Sequence, residues 1–349
     1  MAGNKPVVWV SRPTFESEVA RLWPHFEVHE ESQEVKFTSA ELATRLAVCD
    51  AAIVGLKERV GAAELAGAKR LRIVANLGVG YDNLDVAALT AAGIAASNTA
   101  DVLNESVADY AWALLLGAAR RVGAAERWLR AGQWRATEFR GWLGTDVRGR
   151  TLGILGMGRI GQAIARRAQG FGMPVLYHNR SRLPGATERE CRARLVDKAT
   201  LLRESDFLVL VLPLTPQTRH AIGAAELAQM KADAILVNLA RGEIIQEQAL
   251  YDHLRAHPAF TACIDAWWVE PVRHGEFRMD LPFLDLPNVI GSPHNSAQGG
   301  PADAGLRHAL ANCRRALLGE QPLNLIGQEE RLLSKRQPAR ATSCAKTKS

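Results

Sequence analysis

The segment Leu152–Met173, "LGILGMGRIGQAIARRAQGFGM", decides how the rest of the chain is read. An apolar run leads into Gly156, Gly158 and Gly161, after which Ile160, Ile164 and Ala168 recur on one helical face. Strand, tight glycine turn and helix, in that order, are the context in which G-x-G-x-x-G holds a pyrophosphate. Gly156 permits the turn, Gly158 lets the backbone approach the phosphates, and Gly161 lets the helix pack on the strand. The helix N-terminus, where Arg159 and Ile160 stand, offers N–H groups and a partial positive charge to the phosphates. The pattern predicts a dinucleotide-binding unit.

Working outward, apolar strands alternate with helical stretches along most of the chain, which predicts an α/β protein with parallel sheets. "PVVWVS" (6–11), "AAIVG" (51–55) and "LRIVANLG" (71–78) are expected strands, with helices over 14–23, 39–48 and 84–92. A second series begins at 151–158 and continues at 175–179, 206–213, 235–240, 261–266 and 288–294. Two strand series imply two lobes, with a cleft between them as the expected ligand site. Between the series, residues 104–136 carry apolar side chains at 107, 110, 111, 114, 115 and 118, at helical spacing. We expect a connecting helix that also packs against a second subunit, with Trp128, Trp134, Phe139 and Trp142 suited to an interface.

The second strand of the glycine-loop unit ends in "VLYHNRSR" (175–182). An NAD site places an acidic residue here, about 20 residues beyond the glycines, to accept from the ribose hydroxyls. This chain has Asn179, Arg180, Ser181 and Arg182 instead. A 2′-phosphate would be repelled by a carboxylate and welcomed by two guanidinium groups. NADP(H) is therefore the expected cofactor, with NAD(H) as the second possibility.

Composition narrows the function classes. The 349 residues carry a net charge of +6, spread along the chain without a basic stripe, so no nucleic-acid partner is expected. No apolar run reaches the ~18 residues of a membrane span, and the N-terminus lacks signal-peptide order; a cytoplasmic protein with no membrane partner is expected. Five cysteines stand singly without CxxC spacing, which fits reduced thiols and no metal site. The polar tail 327–349 is expected to be disordered.

Three segments after strands of the second series carry reactive side chains. "VNLARGEII" places Arg241 after one strand, "DAWWVEP" places Asp265 and Glu270 after the next, and "SPHNSA" places His294 after the last. A parallel sheet gathers such residues at one edge. There an imidazole can protonate a forming alkoxide, with a carboxylate holding its tautomer, while an arginine clamps a carboxylate and polarises the adjacent carbonyl.

Taken with "NLGVGYDNLD" (76–85), "NTADVLNESVADY" (98–110) and "GMGRIG" (156–161), these segments resemble the D-isomer-specific 2-hydroxyacid dehydrogenases over about residues 5–326. Within that family the chain is most similar to glyoxylate, hydroxypyruvate and 2-ketogluconate reductases. The resemblance implies NADPH-dependent reduction of small 2-keto acids to D-2-hydroxy acids. Arg241, Glu270 and His294 form the implied catalytic set. Leu77, Gly78, Val79 and Gly80 join Arg241 in binding the substrate carboxylate, chiefly through backbone N–H groups. Pro213, Thr218 and Ala240 are implied cofactor contacts, and Asp265 the partner of the nicotinamide carboxamide. The resemblance further implies a Rossmann domain over 101–291 inserted in a flavodoxin-like substrate domain, 1–100 and 292–326. A homodimer built through the arm 104–142 is implied as well.

Alternative activities on the same fold are a phosphite dehydrogenase and a cofactor-sensing corepressor. The first needs a lysine where this chain has Val79, and the second is separated by turnover. Formate dehydrogenases replace the acidic partner of the histidine, which here is Glu270. Phosphoglycerate oxidation is disfavoured because no regulatory domain follows Leu325. The chain also departs from the family pattern. Ile245–Gln246 stands where Val-Asp is usual, removing a helix-capping carboxylate, and Asn295–Ser296 follows His294, where substrate choice is open to change. The loop 269–284 is long and polar, and its path is not legible from the residues.

Overall fold

The computed structural model describes residues 5–13, 26–33, 35–135, 143–298 and 304–327. The expected helix 14–23, Phe139, Trp142 and the tail beyond 327 lie outside the described residues. The chain divides into two compact units, Met1–Val102 with Pro301–Ser349, and Leu103–Gly300.

The first unit carries β1 (Val7–Val10), β2 (Glu27–Glu30), β3 (Ala51–Val54), β4 (Ile73–Asn76) and β5 (Ala95–Ser97). They form one parallel sheet in the order β2-β1-β3-β4-β5, the flavodoxin-like winding. Central strands β3 and β4 are buried along their whole length, as expected when helices cover both faces of a parallel sheet. The helix Ser39–Val48 begins at a capping box in which Thr38 and Glu41 satisfy each other's backbone N–H, and it buries Leu42 and Leu46. From the far end of the sequence, the helix Ala304–Leu318 returns to this sheet and buries Ala309, Leu310, Cys313 and Ala316. Its Asn312 carboxamide then fixes the chain beyond, bonding both N–H and C=O of Leu323.

The second unit carries β6 (Leu152–Leu155), β7 (Val175–His178), β8 (Ala193–Leu195), β9 (Phe207–Leu210), β10 (Ile235–Asn238), β11 (Thr261–Ile264) and β12 (Val289–Gly291). All seven are parallel, in the order β12-β11-β10-β9-β6-β7-β8. This is the doubly wound Rossmann order, and its direction of winding reverses between β6 and β9.

The apolarity of residues 104–119 has a cause within this unit. The helix Asn104–Ala119 buries Val107, Ala108, Ala111, Trp112, Leu114, Leu115, Ala118 and Ala119 in the core under the second sheet. Its Trp112 indole donates to the Ile164 carbonyl of the helix after the glycine loop at 3.1 Å. The next helix, Val122–Arg130, buries none of its residues. Val122, Leu129, Trp134 and Leu143 are exposed, and Val122 and Leu143 help to line a cavity of about 570 Å³ with Gly117, Arg127 and Pro258.

Among the described residues no helix is long and apolar enough to cross a membrane. Cys49, Cys191, Cys263 and Cys313 are buried thiols, and burial pushes those of Cys49 and Cys263 up to about 12.

Candidate active site

The strand order puts each sequence-predicted group of the second unit at the carboxyl edge of its sheet. His294, the Asp265–Glu270 segment and Arg241 follow β12, β11 and β10, which are neighbours. The loop Pro213–Thr218 follows β9, the glycine loop follows β6 and Asn179–Arg182 follows β7. An open α/β sheet binds its ligand at the point where the winding reverses, here between the glycine loop and the 213–218 loop.

At the glycine turn Gly156 has φ +102°, and a Cβ there would lie 2.9 Å from the backbone of Val211 and Leu212. Only glycine fits a left-handed turn so close to the neighbouring strand. A Cβ on Gly158, by contrast, would meet nothing within 4 Å, so the backbone at the start of the helix Arg159–Ala168 stands open. Open backbone at a helix N-terminus suits a pyrophosphate.

Asn179 does not reach outward. Its carboxamide oxygen accepts from Met157 N–H at 2.6 Å and its amide donates to the Met157 carbonyl at 3.4 Å, tying the end of β7 to the glycine turn. The two arginines that follow differ from each other. Arg182 is bound to Glu188 through Nε and Nη2, at 2.9–3.1 Å. Glu188 also accepts from the Tyr177 hydroxyl at 2.7 Å, and that hydroxyl accepts from Leu183 N–H. Hydrogen bonds from Arg182, then Tyr177, hold the Glu188 carboxyl below the usual carboxylate range. Arg180 is exposed and makes no hydrogen bond or ion pair among the described residues. In the 213–218 loop the Thr218 hydroxyl is turned inward, donating to the Pro213 carbonyl at 2.6 Å.

At the other end of the edge, the His294 imidazole meets both oxygens of Glu270 through Nδ1, at 3.0 and 2.9 Å. Glu270 is 2% exposed and also accepts from Trp267 N–H at 2.6 Å. Facing the Glu270 carboxylate, Nδ1 donates, and Nε2 is the ring nitrogen left for a further partner. His294 sits at φ +49°, an uncommon conformation for a non-glycine residue. Asp265 sustains it. The Asp265 carbonyl accepts from His294 N–H, while its fully buried carboxylate accepts from Ser292 Oγ at 2.6 Å and from the N–H groups of Asn295 and Ser296 at 3.1 and 3.3 Å. These bonds tie the His294 loop to the second sheet, and the second unit accordingly extends past 292.

Arg241 is 8% exposed, with Nη1 donating to the Ala240 carbonyl. Asn238, at the end of β10, shapes this turn by accepting from Ala240 N–H and donating to the Arg241 carbonyl. The helix that follows, Glu247–Ala256, has Gln246 at its N-cap without a side-chain capping bond.

In the first unit the Leu77–Gly80 loop follows β4. Three side chains or backbone groups hold its carbonyls: Thr99 N–H takes that of Gly78, Asn98 that of Val79 and Asn76 that of Gly80. Gly78 N–H donates to Thr99 Oγ1 at 3.0 Å. The N–H groups of Val79 and Gly80 have no partner among the described residues. With the carbonyls of Gly78, Val79 and Gly80 turned to protein, the N–H groups of Val79 and Gly80 are left as donors.

Sequence reasoning did not single out Tyr177, Glu188, Asn98 or Thr99. Tyr177, Asn98 and Thr99 lie inside quoted segments, but each of the four acts through a partner 6 to 21 residues away, which the segments do not show. The loop 269–284 is placed by a short helix, Pro271–His274, a backbone bridge between Val269 and Arg278, and the turn Phe283–Asp285.

Comparison with known proteins agrees with this fold. Residues 112–296 match the family model for the D-isomer specific 2-hydroxyacid dehydrogenase NAD binding domain. A glyoxylate reductase of Thermococcus onnurineus is 41% identical over 340 residues, covering 96% of this chain and 99% of that protein. Glyoxylate/hydroxypyruvate reductase B of Escherichia coli is 41% identical, covering 88% and 92%. Among solved structures, an NADPH-dependent glyoxylate/hydroxypyruvate reductase of Sinorhizobium meliloti, in complex with NADP and malonate, superposes with a TM-score of 0.78. It is 29% identical and covers 93% of this chain and 98% of that one. The chain belongs to the D-isomer specific 2-hydroxyacid dehydrogenase family.

Proposed function

We propose that the chain reduces small 2-keto acids, among them glyoxylate, hydroxypyruvate and 2-ketogluconate, to D-2-hydroxy acids with NADPH, and that His294 is the proton donor. The observation that carries this reading is the His294 imidazole bound through Nδ1 to a buried carboxylate at the ligand edge of a Rossmann sheet. The names borne by the relatives support the substrate class, and the NADPH-dependent neighbour supports the cofactor.

With its pyrophosphate held at the glycine loop, the reduced cofactor would supply a hydride to the keto carbon. The residues of the chain do the rest. The carbonyl oxygen takes a proton from Nε2 of protonated His294 as the C–H bond forms, so the carbonyl becomes an alcohol and the imidazole becomes neutral. Glu270 keeps the proton on Nδ1 and so leaves Nε2 to serve the carbonyl. Arg241 pairs with the substrate carboxylate and polarises the carbonyl. The free N–H groups of Val79 and Gly80 serve the same carboxylate, a narrower set than the whole Leu77–Gly80 stretch. Arg180, with Ser181 beside it, reads the 2′-phosphate, while Arg182 braces the loop through Glu188. Asp265 works by holding the His294 loop. We further propose that the exposed face of Val122–Arg130 and the cavity beside it join two copies of the chain in a homodimer.

The test is a panel of the three keto acids with each cofactor, with chiral analysis of the glycerate formed from hydroxypyruvate. The reading expects D-glycerate and faster turnover with NADPH. L-glycerate, or preference for NADH, would overturn the corresponding part of it.

A further inference from the structure

The loops of Arg241 and Glu270 are joined by more than the sheet beneath them. Two residues beyond Arg241, the Glu243 carboxylate meets the Arg273 guanidinium, which lies three residues beyond Glu270. Nη1 donates to Oε2 at 2.8 Å and Nη2 to Oε1 at 2.9 Å, the two-pronged geometry that fixes angle as well as distance. Both side chains are largely covered, at 10% and 13% exposure, so the pair is neither a solvated surface contact nor a strongly screened one.

The backbone around each partner is also tied down, that of Glu243 to the stretch after β9 and that of Arg273 to its own loop. The Glu243 carbonyl accepts from His220 N–H at 2.8 Å. Arg273 and His274 donate their N–H groups to the Glu270 carbonyl, and the Glu270 N–H donates to His274 Nδ1 at 3.0 Å. A third tie runs alongside, from the Trp268 indole to the Ile245 carbonyl at 2.9 Å. Burial alone would raise the Glu243 carboxyl, but the bonds from Arg273 outweigh it and hold the group below the usual range.

We infer that Glu243 and Arg273 form a latch that sets the spacing between Arg241 and Glu270, making them positioning residues for the reaction proposed above, on which this inference rests. Arg241 orients the carbonyl and Glu270 orients the proton donor, so their separation fixes whether proton and hydride reach the same bond. A lysine at 273 would keep the charge but lose the fork.

The test compares Arg273→Ala, Arg273→Lys, Glu243→Gln and the reversed pair Glu243→Arg/Arg273→Glu with the wild-type chain. Three readouts are taken: kcat with glyoxylate and NADPH, NADPH affinity, and exchange of the Trp267 amide hydrogen that bonds the Glu270 carboxylate. The latch predicts that Arg273→Ala and Arg273→Lys lose roughly tenfold or more in kcat, for a displacement under 1 Å. NADPH affinity should stay within about twofold, the Trp267 amide should exchange faster, and the reversed pair should recover part of the loss. If Arg273→Ala does not fold, Arg273→Lys and Glu243→Gln carry the comparison. Unchanged kcat and unchanged Trp267 exchange, with only a lower melting temperature, would reduce the pair to a stabilising contact and overturn the inference. A wild-type chain that turns over no keto acid would sink the functional reading instead, and the Trp267 exchange would still report whether the latch holds Glu270.

Discussion

Replacing Gly242 by alanine puts one methyl group where the loop of Arg241 meets the loop of Glu270. That methyl carbon would lie 2.4 Å from the Trp267 carbonyl carbon and the Trp268 nitrogen, and 2.6 Å from the Trp267 oxygen. All three are backbone atoms, so no side-chain rotation relieves the overlap. Ordinary contact begins near 3.5 Å, and the two loops must therefore part by about 1 Å. Overpacking of this kind costs about 1–3 kcal/mol of stability. A shift of 1 Å between reacting groups costs roughly 10²-fold in rate. We expect Gly242→Ala to lower kcat/KM for glyoxylate by roughly 10²-fold while leaving NADPH affinity within about twofold, because the glycine loop follows a different strand. Steady-state kinetics, cofactor titration and a thermal melt on the same preparation make the comparison. A folded Gly242→Ala protein with wild-type kcat/KM would refute the reasoning that these loops must touch for catalysis.

Four further outcomes are expected. His294→Ala should cut kcat by roughly 10²–10⁴-fold, and near-normal turnover would move the proton donor elsewhere. Arg180→Ala should raise KM for NADPH far more than for NADH, whereas Arg182→Ala, whose guanidinium is committed to Glu188, should discriminate less; equal effects of the two would contradict the division of labour. Gln246→Asp should stabilise the chain by about 1 kcal/mol in chemical denaturation by supplying the missing cap. Burial, aided by His257, lowers the affinity of His253 for a proton, and burial does the same for His308. The unfolded chain therefore binds more protons below about pH 6.5, and stability should fall as pH drops through that value; a flat profile there would contradict it.

How much of this was legible beforehand depended on whether a residue's role was local. β6 and the helix Arg159–Ala168 declared themselves because strand, turn and helix are contiguous. The strands β2, β5 and β8 did not. β2 and β8 are edge strands of four and three residues with half-exposed, partly charged sequences, and β5 is Ala-Ala-Ser, whose burial no propensity announces. Arg241, Glu270 and His294 were found because each follows a strand within a compact motif. The bonds that support them were not: Asp265, noticed only as a cofactor contact, holds a loop 27 to 31 residues away, and Arg273 finds Glu243 across 30 residues. The "NRSR" run shows the same limit. Two arginines invited one reading, yet a carboxylate six residues later claims Arg182 and leaves Arg180 open. Likewise, the apolar face of Asn104–Ala119 is used within its own unit, and the exposed large apolar side chains are Val122 and Leu129 of the next helix.

The most direct test is NADPH oxidation on adding glyoxylate to the purified wild-type chain, with NADPH binding measured on the same sample. The account predicts saturable turnover forming glycolate, faster with NADPH than with NADH. Tight NADPH binding without turnover of glyoxylate, hydroxypyruvate or 2-ketogluconate would contradict it and leave a cofactor-binding protein on a dehydrogenase fold.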